Sequence, residues 1–292
     1  MLRSLILLLV FALELTAQGS RVEYKTFPSK LLGRDLRYGL YLPPSYNSSP
    51  AKRYPILYFM HGLQEDETRW SSRGQTDVIL DRMIAEGTIG EFIVAIPFAA
   101  ASFYTNTRDG SEKWEDVIVT EFIPAIESTY RVNAARASRG ISGVSMGGYG
   151  ALKIAMKHPD VFGSVSAHSA VLIQDLATAN VRVPGRPGRL QMFEMLFDRI
   201  YGITQDYTYW EANNPMTLAK DRAKWNGLKI YFDCGTEDQY GFFAGTKQLD
   251  DFLTSASYPH EAHLYPGSHG WEYTSQHTDE SLLFHWKAFS GK

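Results

Sequence analysis

Hydrophobic positions along the chain follow two rhythms that take turns. Short apolar runs with no polar face recur at 55–60 (PILYFM), 92–97 (FIVAIP), 140–144, 163–168 and 228–234 (LKIYFDC), the pattern of strands covered on both sides. Between them the spacing changes to that of amphipathic helices. Residues 75–86 carry Val78, Ile79, Leu80, Met83 and Ile84, and residues 114–130 carry Val117, Ile118, Phe122 and Ile126, with Pro124 expected to kink the second helix. Helical spacing returns at 149–157, 246–253 and 280–289, and residues 262–265 alternate as a late strand. Ahead of all these, 22–27 and 36–42 predict an antiparallel hairpin that stops at Pro43 and Pro44. Alternation of this kind predicts an α/β class fold: a mostly parallel central sheet, an N-terminal antiparallel hairpin and helices on both faces.

Two segments depart from the rhythm. Arg3 followed by an unbroken apolar run at 5–13 and then Glu14, Thr16 and Gln18 predicts a secretory signal peptide over residues 1–19, cleaved after Ala17. A buried N-terminal helix is the alternative. The run is too short to cross a bilayer and no later stretch comes near the length of a span, so residues 20–292 are expected to be one secreted or periplasmic domain with no membrane span. Residues 170–226, with Pro184-Gly185 and Pro187-Gly188 and then Phe193, Phe197, Tyr201, Tyr207, Tyr209 and Trp210, are too long for a simple connection. They read either as a cap-like wall over a site or as a helical insertion packed on the surface.

Composition narrows the chemistry. The 292 residues are 44% hydrophobic and 21% charged, with a net charge of −3, so bulk electrostatic attraction to nucleic acid is disfavoured. The one cysteine, Cys234, can form no internal disulfide, no cysteine set is present for zinc, and no H-E-x-x-H occurs; neither a metal nor a cofactor is expected.

Gly143-Val144-Ser145-Met146-Gly147 matches G-x-S-x-G, with an apolar strand running in and a helical pattern leaving. Such a strand-turn-helix forces the serine into a strained backbone and leaves no room for β-carbons two positions to either side, which is why glycines flank it. A serine hydroxyl needs a base, and the base needs an acid to set its tautomer. Among the later histidines, only His269, in Gly267-Ser268-His269-Gly270, stands just beyond a late strand in a glycine-flanked loop, with His277 in reserve. His158 reads as a capping or surface group, and His263 and His285 as structural. The strand ending at Cys234 opens into Gly235-Thr236-Glu237-Asp238-Gln239; Asp238 is the candidate acid and Glu237 its rival, while Asp233 should face away. His61-Gly62-Leu63 follows the 55–60 strand, so the Leu63 and Met146 N–H groups are candidate donors to a developing oxyanion, with His61 holding the loop. Gly62, Tyr104, Trp114, His168 and Trp271 are candidate substrate contacts, the aromatics by stacking on a sugar or phenolic ring.

The chain resembles the esterase group of α/β hydrolases that includes S-formylglutathione hydrolase, feruloyl and acetyl xylan esterases and mycolyl transferases. The resemblance rests on RYPILYFMHGL at 53–63, FIPAIESTYRV at 122–132, GISGVSMGGYGAL at 140–152, DCGTEDQY at 233–240 and the 268–270 turn. It implies an α/β-hydrolase fold, a Ser145, Asp238, His269 triad and an oxyanion hole at Leu63 and Met146. The expected function is a secreted serine carboxylesterase acting on feruloyl- or acetyl-type esters of carbohydrate. Acyl transfer to a sugar hydroxyl, an S-formylglutathione hydrolase-like thioesterase and a catalytically silent binding scaffold are the alternatives. The pattern is silent on oligomeric state.

Overall fold

The computed structural model describes residues 21–173, 188–202 and 206–291. The leader expected over 1–19 and the Pro-Gly pairs of 184–188, save Gly188, lie outside the described residues. Eight strands form one sheet in the order β1-β2-β4-β3-β5-β6-β7-β8. The hairpin is β1 (Arg21–Ser29) and β2 (Arg34–Leu42), paired antiparallel, and β2 in turn runs antiparallel to β4 (Ile93–Pro97). From β4 onward every pairing is parallel: β3 (Ile56–Met60) beside β4 and β5 (Arg139–Val144), then β6 (Ser164–His168), β7 (Lys229–Gly235) and β8 (Glu261–Tyr265). The α/β alternation seen in the pattern of residues is thus the architecture of the chain. Continuous apolar runs became the central strands because both of their faces are covered: every residue of β3, β4 and β5 is buried. β8, at the sheet edge, is only partly covered.

Two packed layers flank the sheet. One contains Tyr58, Phe122, Phe162 and the helix Met146–Lys157; the other contains Trp70, Leu80, Phe92 and the C-terminal helix Trp271–Ser290. Pro124 acts one turn earlier than a simple kink. Lacking an N–H, it cannot bond to the carbonyl of Thr120. Residues Val117–Phe122 widen into a π-helical turn in which Ile123 N–H reaches Ile118 O, before α-geometry resumes at Ile123–Thr129.

The described part of 170–226 packs rather than projects. The helix Gly188–Tyr201 buries Leu196, Phe197, Ile200 and Tyr201, with Phe197 edge-on to Phe103 at 5.4 Å and Tyr201 Oη 3.0 Å from Tyr149 Oη. It therefore braces both the helix Met146–Lys157 and the loop after β4.

That loop is also pinned by charge. Lys153 is fully buried on the helix Met146–Lys157 and donates to Glu115 Oε2 at 2.8 Å, to Tyr104 O and to Thr105 Oγ1, while Lys157 and His158 close on the same carboxylate. His158, read as a cap or surface group, ends its helix and joins this cluster. Burial alone would raise the Glu115 carboxyl; the ammonium charges of Lys153 and Lys157 and the bond to His158 outweigh it and hold the group well below the usual carboxylate range. A carboxylate so depressed contributes stability that is complete above the unfolded value of 4.5 and is lost progressively as pH falls below it toward the depressed folded value. Glu115→Gln, by stranding the Lys153 ammonium, should lower unfolding stability at pH 7 by about 3–5 kcal/mol in urea titration. The gap to the parent should narrow as the pH is taken below about 4.

Candidate active site

The parallel strands deliver their C-terminal ends to one rim, and the candidate residues sit there because each follows a strand. β5 ends at Val144, and Ser145 follows with φ 56° and ψ −116°, a conformation an L-residue adopts only under constraint. Packing imposes that constraint. A β-carbon on Gly147 would lie 1.9 Å from Met60 O, and one on Gly143 would lie 2.3 Å from the Gly147 carbonyl. With the Ser145 amide also bonded to His168 O at 2.9 Å, the turn has no slack and the side chain projects from its crest. Met146 opens the helix Met146–Lys157, so its N–H is among the amides with no acceptor inside the helix.

β7 and β8 bring the other two groups. The turn after β7 is zipped to the loop after β8 by Thr236 N–H to Tyr265 O, 2.8 Å, and Glu237 N–H to Gly267 O, 2.9 Å. Asp238 is thereby turned inward and its carboxylate buried, whereas the adjacent Glu237 points to solvent. Tyr240 N–H donates to Asp238 Oδ1 at 2.7 Å, and His269 Nδ1–H donates to Asp238 Oδ2 at 2.8 Å. Ser145 Oγ–H donates to His269 Nε2 at 3.0 Å. Tyr240 and Phe242 stand edge-on to the imidazole at 4.9 and 5.5 Å, and its backbone N–H is held by Gln239 Oε1. The ring is fenced on its flanks and bonded at both nitrogens.

A cleft of about 170 Å³ opens beside Ser145. Phe103, Val171, Tyr240, Phe242 and Trp271 give it an apolar wall, and the loop 62–65 forms its polar side. His61 behind that loop is buried; its Nδ1–H donates to Gly62 O at 2.8 Å and its Nε2 accepts from Ala99 N–H at 3.0 Å. Burial pulls this imidazole down to about 4, so it stays neutral and structural.

Residues 29–282 match the family described as "Putative esterase". The chain belongs to that esterase family. It is 32% identical over 148 residues to an endo-1,4-beta-xylanase/feruloyl esterase of Xylanibacter ruminicola, covering 49% of this chain and 20% of that protein. It is 28% identical over 268 residues to an esterase of Mycobacterium tuberculosis, covering 85% of this chain and 56% of that one. The chain thus spans a fifth to a little over half the length of these relatives. A solved ferulic acid esterase superposes over 93% of this chain and 99% of its own, with a TM-score of 0.78 and 27% identity. The fold is the α/β-hydrolase fold.

Within this esterase scaffold three expected substrate contacts lie elsewhere. Tyr104 is fully buried, its ring against Gly150 and its hydroxyl donating to His61 O at 3.2 Å. Trp114 is fully buried against Phe98, with its indole N–H on Glu112. His168 faces the C-terminal helix, its Nε2 3.0 Å from Ser281 Oγ and its Nδ1 2.7 Å from Asp233 Oδ2. Loop aromatics and a strand-end histidine look alike in sequence whether they line a cleft or turn back into the core; burial of large apolar surface decided for the core. Gly62 and Trp271 do line the cleft. Residues 174–187, in the middle of the segment read as a wall, are outside the described residues, and Val171 is the one described residue of 170–226 that lines it. His277 is stacked on Tyr265 at 4.1 Å and bonded toward Glu280, away from Ser145. Phe103, Tyr240, Phe242 and Glu65, none of them marked out by a motif, also line the cleft. Tyr240 and Glu65 each stand two residues beyond a candidate, Asp238 and Leu63, and that spacing was the available signal.

Cys234 ends up beneath the acid, its thiol 3.6 Å from Asp238 Oδ2. Burial, and then the Asp238 charge, push the thiol well above its ordinary value, so it holds its proton at neutral pH. Iodoacetamide at pH 8 should leave Cys234 unlabelled in the folded protein and alkylate it fully in urea, as read by intact mass.

Proposed function

We propose that residues 20–292 act as one exported serine carboxylesterase working through an acyl-enzyme on Ser145. The observation that carries this is the unbroken donor line from Ser145 Oγ to His269 to buried Asp238, 3.0 and 2.8 Å long, at the edge of an open cleft. In this reading His269 Nε2 takes the hydroxyl proton as Oγ attacks the ester carbonyl, Asp238 stabilises the imidazolium, and the proton then passes to the departing alkoxide. The Leu63 and Met146 N–H groups receive the negative charge that builds on the carbonyl oxygen. Water, deprotonated by the same imidazole, attacks the acyl carbonyl; the tetrahedral intermediate collapses with return of the proton to Oγ and release of the acid.

Feruloyl- and acetyl-type esters of carbohydrate are the proposed substrates. The reading is supported by the names of the xylanase/feruloyl esterase and ferulic acid esterase relatives, and by the aromatic wall of Phe103, Tyr240, Phe242 and Trp271 beside Ser145. Export rests on the apolar run at 5–13.

A fluorophosphonate probe should label the protein once, at Ser145, and not the Ser145→Ala variant; no labelling of the parent overturns the reading. Hydrolysis of methyl ferulate should fall at least about 10⁴-fold in Ser145→Ala and by about 10⁴ in Asp238→Asn, whose amide cannot set the imidazole tautomer. Release of ferulate or acetate from decorated xylan, followed by chromatography, tests the substrate class; activity on simple aryl esters with no release from xylan refutes it. If glycerol or trehalose takes the acyl group faster than water does, the enzyme is a transferase.

A further inference from the structure

Glu65 stands out in the cleft. It is the one acidic residue among the described residues that line it; the remainder are apolar, aromatic, glycine, neutral polar, or His269 itself. No lysine or arginine is among those lining residues to neutralise it. Both its oxygens are engaged from within the site. Oε2 accepts the Gly62 N–H at 2.9 Å, and Oε1 accepts the Trp271 indole N–H at 2.6 Å. The glycine at 62 lets the carboxylate lie close to the backbone: a β-carbon there would lie 2.9 Å from Oε2 and press it away. On the far side, Trp271 is wedged between Phe59 and Gly74 and follows His269 by two residues, so the carboxylate cannot swing out without losing a rigid donor. A fixed negative charge therefore sits on the loop that carries Leu63, facing the space a substrate must enter.

A charge in the wall of a cleft acts on whatever charge a substrate brings, because charges a few ångströms apart attract or repel, more strongly as the effective dielectric falls. We infer that Glu65 is a specificity-determining residue that excludes esters bearing a negative charge near the scissile bond and admits neutral and cationic ones. The carboxylate makes this choice by repulsion, the way many sites reject a wrong partner. The inference rests on the esterase reading above and deepens it by naming the charge class of the acyl group that Ser145 receives. It also makes free acid products poor ligands, since a released carboxylate would meet Glu65.

The test uses the full-length enzyme and three ethyl esters of matched length: ethyl valerate, monoethyl glutarate and ethyl 5-aminovalerate, followed by alcohol release at pH 7. The parent should favour the neutral ester over the anionic one in kcat/KM by on the order of a hundredfold, with the cationic ester at least equal to the neutral. Glu65→Gln should shrink the neutral-to-anionic ratio at least tenfold, chiefly through a lower KM for the anion, whereas Glu65→Asp should keep it. Salt at about 0.5 M should compress the ratio in the parent and leave Glu65→Gln unmoved. A ratio unchanged within twofold in Glu65→Gln overturns the inference, as does an equal loss in Glu65→Gln and Glu65→Asp, which would mean loop geometry and not charge sets the preference. Labelling of Ser145 by the uncharged fluorophosphonate in all three proteins keeps the two ideas apart. If the variants label and the ratio is flat, only the charge assignment fails; if the parent neither labels nor cleaves the neutral ester, the esterase reading fails and takes this one with it.

Discussion

The site depends on a place where three backbones touch with nothing between them. Met60 O, at the end of β3, lies where a side chain of Gly147 would have to be, and the Gly147 carbonyl lies where a side chain of Gly143 would be. Ser145 is trapped in the middle with φ 56°. Such a residue relaxes to ordinary backbone unless its surroundings over-determine it, and here they do. Strands on both sides are buried, the helix that follows is buried along almost its whole length, and the Ser145 amide is tied to β6. The placing of the hydroxyl at the cleft is thus a consequence of close packing beneath it.

Packing beneath the other two groups is polar. The C-terminal helix Trp271–Ser290 starts two residues after His269, so its seating on the sheet fixes the loop that carries the imidazole. His285 on that helix is wholly buried and bonds Ser164 Oγ at 2.8 Å and Ser166 Oγ at 2.9 Å, while Ser166 Oγ–H donates to Ser142 Oγ. Burial, with neighbouring His168 a lesser cause, pulls His285 down to about 3, so a neutral ring serves as a two-ended hydrogen-bonding strut. Gly140 makes the room for it: a β-carbon there would lie 2.8 Å from Nδ1. A little further along, His168 and Asp233 face the same helix, their closest atoms 2.7 Å apart without hydrogen-bond alignment. The hydrogen-bonded set of His285, Ser164, Ser166 and Ser142 specifies one seating of the helix where a uniformly apolar face would accept several.

The loop after β4 shows how far such constraints extend. Lys153, one turn from the end of the helix that starts beside Ser145, holds the carbonyl of Tyr104 and the hydroxyl of Thr105, while Phe197 from the 188–201 helix packs on Phe103. Phe103 and Tyr104 both take positive φ and both are buried, but only Phe103 also lines the cleft. The buried ion cluster thus anchors the loop that contributes Phe103 to the aromatic wall beside Ser145.

Strand and helix periods, the glycines around Ser145, and the glycine-flanked position of His269 were all legible in the order of residues, because each reports a local requirement: a two-sided burial, a helical face, a turn too tight for a β-carbon. Asp238 was separable from Glu237 only by the backbone direction after β7, which the zipper to the β8 loop sets. The choice of which aromatics line the cleft was not local at all. Tyr104 and Trp114 sit in loops as Trp271 sits at a helix start, and no neighbour in sequence says which ring will find a cavity and which a core. Residue order decided what each segment must be by itself; the folded sheet decided which distant segments share a space, since burial and hydrogen bonding across it are properties of pairs that the chain brings together only when complete.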